Sequence, residues 1–169
     1  MNTIRPAKLF DYPVIEAIVQ DAIQHMRAHN IDQWDEIYPD REILETDIRQ
    51  QEMYVTSRHG TICGFITINR QEAPEYSEVA WRNSGRVLVI HRLTVSPNCQ
   101  SRGFATKLMH HAEAMAAKNG YDTIRLDAFA NNPRALILYE RLGYHRAGMV
   151  KFRKGRFYCY EKKVTAHRA

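Results

Sequence analysis

Val14, Ile15, Ile18, Val19, Ala22, Ile23 and Met26 recur at steps of three and four, which places them on one apolar stripe of a helix. Asp11 stands where a side chain can cap that helix, and Pro13 falls in its first turn, where a missing N–H is harmless. Ahead of it, "TIRPA" predicts a short strand. Behind it, "NIDQWDEIYPD" breaks the pattern as an irregular connector, and "REILETDIRQQ" resumes it as a second, shorter helix. "EMYVTSRHG" and "TICGFITINR" carry the β-branched and aromatic enrichment of a hairpin turned at Gly60. "EAPEYSEVAWRNSG" predicts a loop with a short extended piece.

In "RVLVIHRLTV" nearly every position from 87 to 90 is apolar, as in a central strand buried on both faces. A helix follows from about Ser101 to Asn119, with Ala105, Leu108, Met109, Ala112 and Met115 or Ala116 inward and Gly120 ending it. "DTIRLDAFA" predicts a strand, "NPRALILYERLG" a helix, and "YHRAGMVKF" with "RFYCYEKKV" a closing hairpin. The expected order is β-α-α-β-β-β-α-β-α-β-β. A strand–helix–strand crossover between hairpins implies an α/β (α+β) fold with a mixed sheet and helices on both of its faces.

Composition narrows the class. At 169 residues, with 44% hydrophobic and 25% charged positions, the chain has the make-up of a single globular domain spanning 1–169. No stretch approaches the roughly 20 apolar residues of a membrane span, so no membrane partner is expected. The start, "MNTIRPAKLFDYPVIEAI", lacks a basic-then-apolar signal pattern, which predicts a cytoplasmic protein. Cys63, Cys99 and Cys159 are widely spaced with no CxxC, so reduced thiols are expected rather than disulfides or zinc. His25 and His29 are four apart without an HExxH pattern, and no metal is expected. The net charge of +5 fits a polyanionic small molecule or nucleic acid. Its cations are scattered apart from "KFRKGR" at 151–156, a short basic turn, so nucleic acid is not expected as a partner.

Chemistry concentrates at "VSPNCQSRGFATKL", residues 95–108. A buried strand that breaks at Pro97 and leads into a helix presents unpaired N–H groups and a positive dipole end at one point, which is an anion site. Gly103 allows close approach of a ligand, Gln100 and Arg102 reach oxygen atoms, and Thr106 and Lys107 add a hydroxyl and a charge. The stretch lacks GxxxxGK[ST] and GxGxxG, so it is neither a P-loop nor a dinucleotide fingerprint.

"QSRGFA" at 100–105 has the form Q-x-x-G-x-A, and "NPRALILYERLGY" at 132–144 has the form N-x-x-A-x-x-L-Y-E-x-x-G-Y. Together, after the "HRLTV" strand, these resemble the two signature motifs of the GNAT (Gcn5-related N-acetyltransferase) superfamily, and the element order resembles that fold over nearly the whole chain. The resemblance implies an acetyl-CoA-dependent N-acetyltransferase with a mostly antiparallel sheet. It assigns the pantetheine to backbone groups of Leu93, Thr94 and Val95, where the family's fourth strand splays from its neighbour. It assigns the pyrophosphate to Gln100, Ser101, Arg102, Gly103, Phe104, Ala105, Thr106 and Lys107. Asn132 would touch the cofactor arm, and Tyr139 would point at the thioester sulfur.

Direct attack of an amine on a thioester forms an oxyanion and expels a thiolate, which the Tyr139 phenol could protonate as general acid. A half-buried tyrosine packed with Leu136 and Leu142 is the structural alternative. The amine must arrive unprotonated, so a base or water chain is needed. Asp127 lies five residues before Asn132, where ribosomal-protein amino-terminal acetyltransferases of the superfamily carry a glutamate. Being one carbon shorter, it would act through a bridging water. Arg125 and Asp127 share a strand face, so an ion pair between them competes with that role. Glu78 and His91 are alternative bases, and Glu78 is also expected, with Trp34 and Tyr38, to contact the acceptor. For the acceptor amine, Trp34 and Tyr38 among Asp32, Asp35 and Glu36 offer aromatic faces and carboxylates. The acceptor, a small amine or a peptide amino terminus, is left open, as is a homodimer. A non-catalytic acetyl-CoA-sensing module is the rival reading.

Overall fold

The computed structural model describes residues 2–165. Its elements run β1 (Asn2–Pro6), α1 (Tyr12–Ala28), α2 (Arg41–Arg49), β2 (Met53–Arg58), β3 (Thr61–Asn69), β4 (Val87–Val95), α3 (Phe104–Lys118), β5 (Thr123–Phe129), α4 (Pro133–Arg141), β6 (His145–Phe152) and β7 (Gly155–Lys163). That is the order expected from the periodicities. The strands form one mixed sheet in the order β1-β2-β3-β4-β5-β7-β6. The β1–β2, β2–β3, β5–β7 and β6–β7 pairs are antiparallel, and β4–β5 is parallel.

The chain divides into two compact units, Met1–Ile68 with Arg92–Met109, and Asn69–His91 with His110–Ala169. In the first unit, the apolar stripe of α1 supplies Ile15, Ile18, Val19 and Ile23 to a core shared with Trp34, Leu44, Ile48, Met53, Val55 and Phe65. Each such side chain contributes about 1.5–3 kcal/mol by leaving water. In the second unit, Tyr76, Val89, Val150 and Cys159 form the centre of a smaller core, against which Val79, Trp81, Phe152 and Phe157 pack.

Three local expectations change. Asp11 does not cap α1 with its side chain. Its carboxylate takes both Arg5 nitrogens, at 2.8 and 2.9 Å, and the Lys8 N–H at 2.8 Å, closing a 3-10 turn at Leu9–Asp11. The loop before β4 holds a 3-10 turn at Pro74–Glu78 rather than an extended piece, because Pro74 sets its first φ. Finally, α3 begins at Phe104, three residues late. Ser101 and Gly103 have φ of +63° and +81°, outside the helical basin, and the Gly103 carbonyl accepts the first helical bond, from Lys107 N at 3.0 Å.

Candidate functional site

The first unit carries the stretch expected to receive an anion. A 3-10 turn at Pro97–Cys99 follows β4, and the Ser96 N–H donates to the Cys63 carbonyl of β3 at 2.7 Å, fixing where the loop departs. Beside that departure Gly64 is required: a Cβ there would meet the Thr94 carbonyl at 2.5 Å and Val95 Cα at 3.2 Å. Ser101, Arg102, Gly103 and Lys107 are exposed, Gln100, Ala105 and Thr106 are half-buried, and Phe104 is buried beneath them. The Phe104 ring lies 5.7 Å from the Lys107 ammonium, holding that cation over the first turn. A helix start leaves its first N–H groups without carbonyls a turn earlier, so this stretch can receive an anion through backbone amides and add Arg102 and Lys107 as countercharge.

Leu93, Thr94 and Val95 close β4 just after Arg92, whose φ of +53° interrupts the strand. A left-handed non-glycine residue costs roughly 1–2 kcal/mol. The surroundings over-determine it. The Arg92 guanidinium donates twice to Asp47, Nε to Oδ2 and Nη2 to Oδ1, both at 2.8 Å, and Nη1 donates to the Tyr38 hydroxyl at 2.9 Å. Thr67 Oγ1 donates to Asp47 Oδ2 at 2.8 Å, and Thr94 Oγ1 donates to the Arg92 carbonyl at 2.9 Å.

The connector expected to face an acceptor is largely spent on this scaffold. Trp34 is 7% exposed and belongs to the first core, so its ring packs instead of presenting a face. The Asp35 carboxylate is buried and accepts the Ile37 and Tyr38 N–H groups at 3.0 and 3.2 Å. Tyr38 packs on the same core and its hydroxyl accepts from Arg92 Nη1. Glu36, paired with Arg27 at 3.3 Å as an ordinary surface ion pair, and Asp32 are exposed.

The second unit holds the residues considered as acid and base, Asp127, Tyr139, His91 and Glu78. The parallel ladder pairs Val87, Leu88 and Val89 with Thr123, Ile124 and Arg125, and it stops there although both strands continue. His91 and Asp127 each stand two residues past the last pair. The Tyr76 hydroxyl donates to Asp127 Oδ2 at 2.6 Å. Arg125 goes elsewhere than the expected ion pair with Asp127. It donates to Glu72 at 2.8 Å and to the Asn83 carbonyl at 2.9 Å, and it stacks 4.3 Å from the Trp81 ring. His91 Nε2 lies 2.7 Å from Asn69 Oδ1, which also accepts the Gln71 N–H. Since Asn69 Oδ1 accepts the Gln71 N–H, the imidazole tautomer that fits this contact carries its proton on Nε2. Glu78 is exposed at the end of its 3-10 turn.

Tyr139 lies in the last turn of α4, 7% exposed, with ring centroids 6.2 Å from Tyr144 and 6.0 Å from Tyr160. Burial, then the charges of Asp127 and Tyr160, raise its phenol above the ordinary value, so it carries its proton at neutral pH. Cys159 pairs across the sheet with Asp127, and burial followed by that carboxylate pushes its thiol up to about 12. Asn132 caps α4, its Oδ1 accepting the Ala135 N–H at 3.4 Å.

Sequence reasoning missed Tyr76, Asp47 and Arg92. Arg92 had a signal: it is a cation inside an otherwise apolar strand, and such a group needs a buried carboxylate. Tyr76 had none, since its partner lies 51 residues later.

No helix among the described residues is long and apolar enough to cross a membrane. No group of three or more His, Cys, Asp or Glu among them is placed to hold a metal ion. The chain matches the Acetyltransferase (GNAT) family over residues 16–144. A proposed acetyltransferase from Staphylococcus aureus is 30% identical, with a TM-score of 0.78 over 96% of this chain and 99% of that one. A GNAT-family acetyltransferase from Streptococcus agalactiae is 22% identical, with a TM-score of 0.85 over 97% and 95%. The ribosomal-protein-S18-alanine N-acetyltransferase of Escherichia coli is 18% identical, with a TM-score of 0.71 over 99% and 97%; these last two are similar in fold. Comparison with curated proteins found no match.

Proposed function

The chain belongs to the GNAT acetyltransferase family, and from that premise we propose that it transfers an acetyl group from acetyl-CoA to a primary amine by direct attack in a ternary complex. The observation that carries this reading is the loop opening α3, where positive φ at Ser101 and Gly103 turns the chain into an exposed helix start beside Arg102 and Lys107. A pyrophosphate suits that start, and Leu93, Thr94 and Val95 offer peptide groups to the pantetheine as an added strand would.

In this mechanism the amine nitrogen bonds to the thioester carbon, the C–S bond breaks, the proton of the Tyr139 hydroxyl passes to the departing sulfur, and the proton shed by the new amide nitrogen returns to Tyr139 through water. Asp127, through a water, takes the proton that the incoming ammonium must lose, since a free lysine amine has a pKa of about 10.4. The acceptor class is a small amine or a peptide amino terminus; the name of the Escherichia coli neighbour supports keeping the peptide terminus in view.

A panel of spermidine, kanamycin, lysine and peptides with free amino-terminal Ala, Ser or Thr, followed by detection of released CoA thiol, tests the reading. Acetyl-CoA-dependent thiol release with one amine and not others is the expected result. Tight acetyl-CoA binding with no release across the panel would replace it with a sensing role.

A further inference from the structure

We propose that Tyr76 is a positioning residue for Asp127: its hydroxyl, donated to Oδ2 at 2.6 Å, sets the plane of the carboxylate and holds it in its charged, proton-accepting form. The proposal rests on the reading of Asp127 as the group that serves the incoming amine.

Tyr76 is placed for this with unusual redundancy. It sits in the middle of the 3-10 turn Pro74–Glu78, with its N–H on the Ala73 carbonyl at 2.9 Å. Its own carbonyl accepts two donors, the Val79 N–H at 3.2 Å and the Trp81 indole N–H at 2.9 Å. The two rings lie 5.3 Å apart, and the Tyr76 side chain is 2% exposed. The segment is then tied to β5 and β7. Arg125 holds Glu72 and the Asn83 carbonyl, and Glu161 of β7 accepts the Arg82 and Asn83 N–H groups and the Asn83 side-chain amide at 2.6–2.9 Å. Arg125 and Asp127, two apart on one strand, therefore act on the same segment: the first clamps it and the second receives its phenol.

A phenol so buried keeps its proton, because burial first, and the Asp127 charge next, raise it well above its ordinary value. The groups around Asp127 are Tyr76 from the 3-10 turn, Tyr139 from α4 and Cys159 from β7, with Glu72, Arg125 and Tyr160 behind them and His91 on β4 held to Asn69. Tyr139 and Cys159 are both buried with pKa values raised, and the phenol of Tyr76 donates directly to the carboxylate. A hydrogen bond given to the charged form of an acid favours that form, so its removal lets Asp127 hold a proton at higher pH.

The test uses Tyr76→Phe, Asp127→Asn and the double variant in the full chain, with acetyl-CoA and the amine that the panel turns over. Tyr76→Phe is expected to lower kcat on the order of 10–100-fold, as loss of an orienting partner does, with acetyl-CoA affinity unchanged. The acid limb of kcat/KM should move to higher pH. In the Asp127→Asn background the same substitution should cost little. Carbon-13 NMR of aspartate-labelled protein, with the Asp127 carboxyl identified by its loss in Asp127→Asn, reads the same shift without any acceptor or turnover. An Asp127 titration midpoint identical in wild type and Tyr76→Phe overturns the proposal. So does an equal rate loss from Tyr76→Phe with and without Asp127. If Asp127→Asn keeps the full rate while the NMR midpoint still moves, it is the base reading that fails, and Tyr76 tunes a carboxylate with no part in turnover.

Discussion

The loop that opens α3 and the cluster around Asp127 solve opposite problems. The loop is built from main chain, its Ser101, Arg102 and Lys107 side chains exposed and its shape set by two left-handed residues and a glycine that lets strands approach. The cluster is built from buried side chains, Tyr76, Tyr139 and Cys159, brought to one carboxylate from three segments far apart in sequence. Binding an anion needs N–H groups and space, which any short stretch can supply. Managing a proton needs particular functional groups in a dry place. The loop should therefore tolerate side-chain changes that keep its backbone, and the cluster should tolerate backbone-neutral changes poorly.

The most severe challenge to that contrast is Tyr139→Phe, which removes one oxygen. It is expected to lower kcat by about 10²–10⁴-fold, roughly 3–5 kcal/mol of barrier, with acetyl-CoA affinity unchanged. Steady-state rates with the chemical step limiting decide it, and a full rate would make the phenol a packing group among Tyr144 and Tyr160. Comparable in size but different in kind is Asp47→Ala in the first unit. It leaves the 11%-exposed Arg92 side chain without its carboxylate, so stability should fall by about 3–5 kcal/mol, read by denaturant unfolding.

Gly103 separates backbone from side chain within the loop. Nothing lies within 4 Å of a Cβ added there, yet φ is +81°, so Gly103→Ala should cost roughly 1–2 kcal/mol through conformation alone. Gly103→Glu adds a like charge where the phosphates would sit, and calorimetry should find acetyl-CoA binding abolished; unchanged affinity would remove the pyrophosphate from this loop. The smallest effect belongs to Asp11, a carboxylate outside both regions. Its hydrogen bond to Arg5 holds it below its ordinary value, so the folded state releases that proton more readily than the unfolded chain. The stabilisation is complete above the unfolded value, about 3.9, and disappears as pH falls through the lower folded one. Arg5 is 40% exposed, which limits the pair to about 1 kcal/mol or less. The difference in melting temperature between wild type and Asp11→Asn should accordingly be visible at pH 7 and vanish in acid.

Local pattern foretold the elements because each has its own period: α1 and α4 show helical stripes, and β4 is a continuous apolar run. It also located the break between β4 and α3, whose polar groups lie in eight consecutive residues, Gln100 to Lys107. The insertion of β7 between β5 and β6 was not legible, since a closing hairpin can present either arm to β5. Nor was the fate of Trp34 and Asp35, whose types suit a cation site and a packed turn equally well: packing with α1 and α2 residues decides it for Trp34, and the Ile37 and Tyr38 N–H groups for Asp35. The two-residue spacing of Arg125 and Asp127 correctly put them on one face. It could not reveal that the segment 72–83 would separate their partners, because that segment has no periodicity to announce where its side chains go.

The three thiols differ in a way that offers a spectroscopic handle. Cys63 and Cys159 are buried, the first pushed up to about 11 by burial and by Cys99, the second to about 12. Thiolate, not thiol, attacks a maleimide, so the half-exposed Cys99 should be labelled first. It directly precedes the loop at Gln100–Lys107, and a fluorophore placed there would report occupancy of that loop as a change in colour or brightness, with no turnover required.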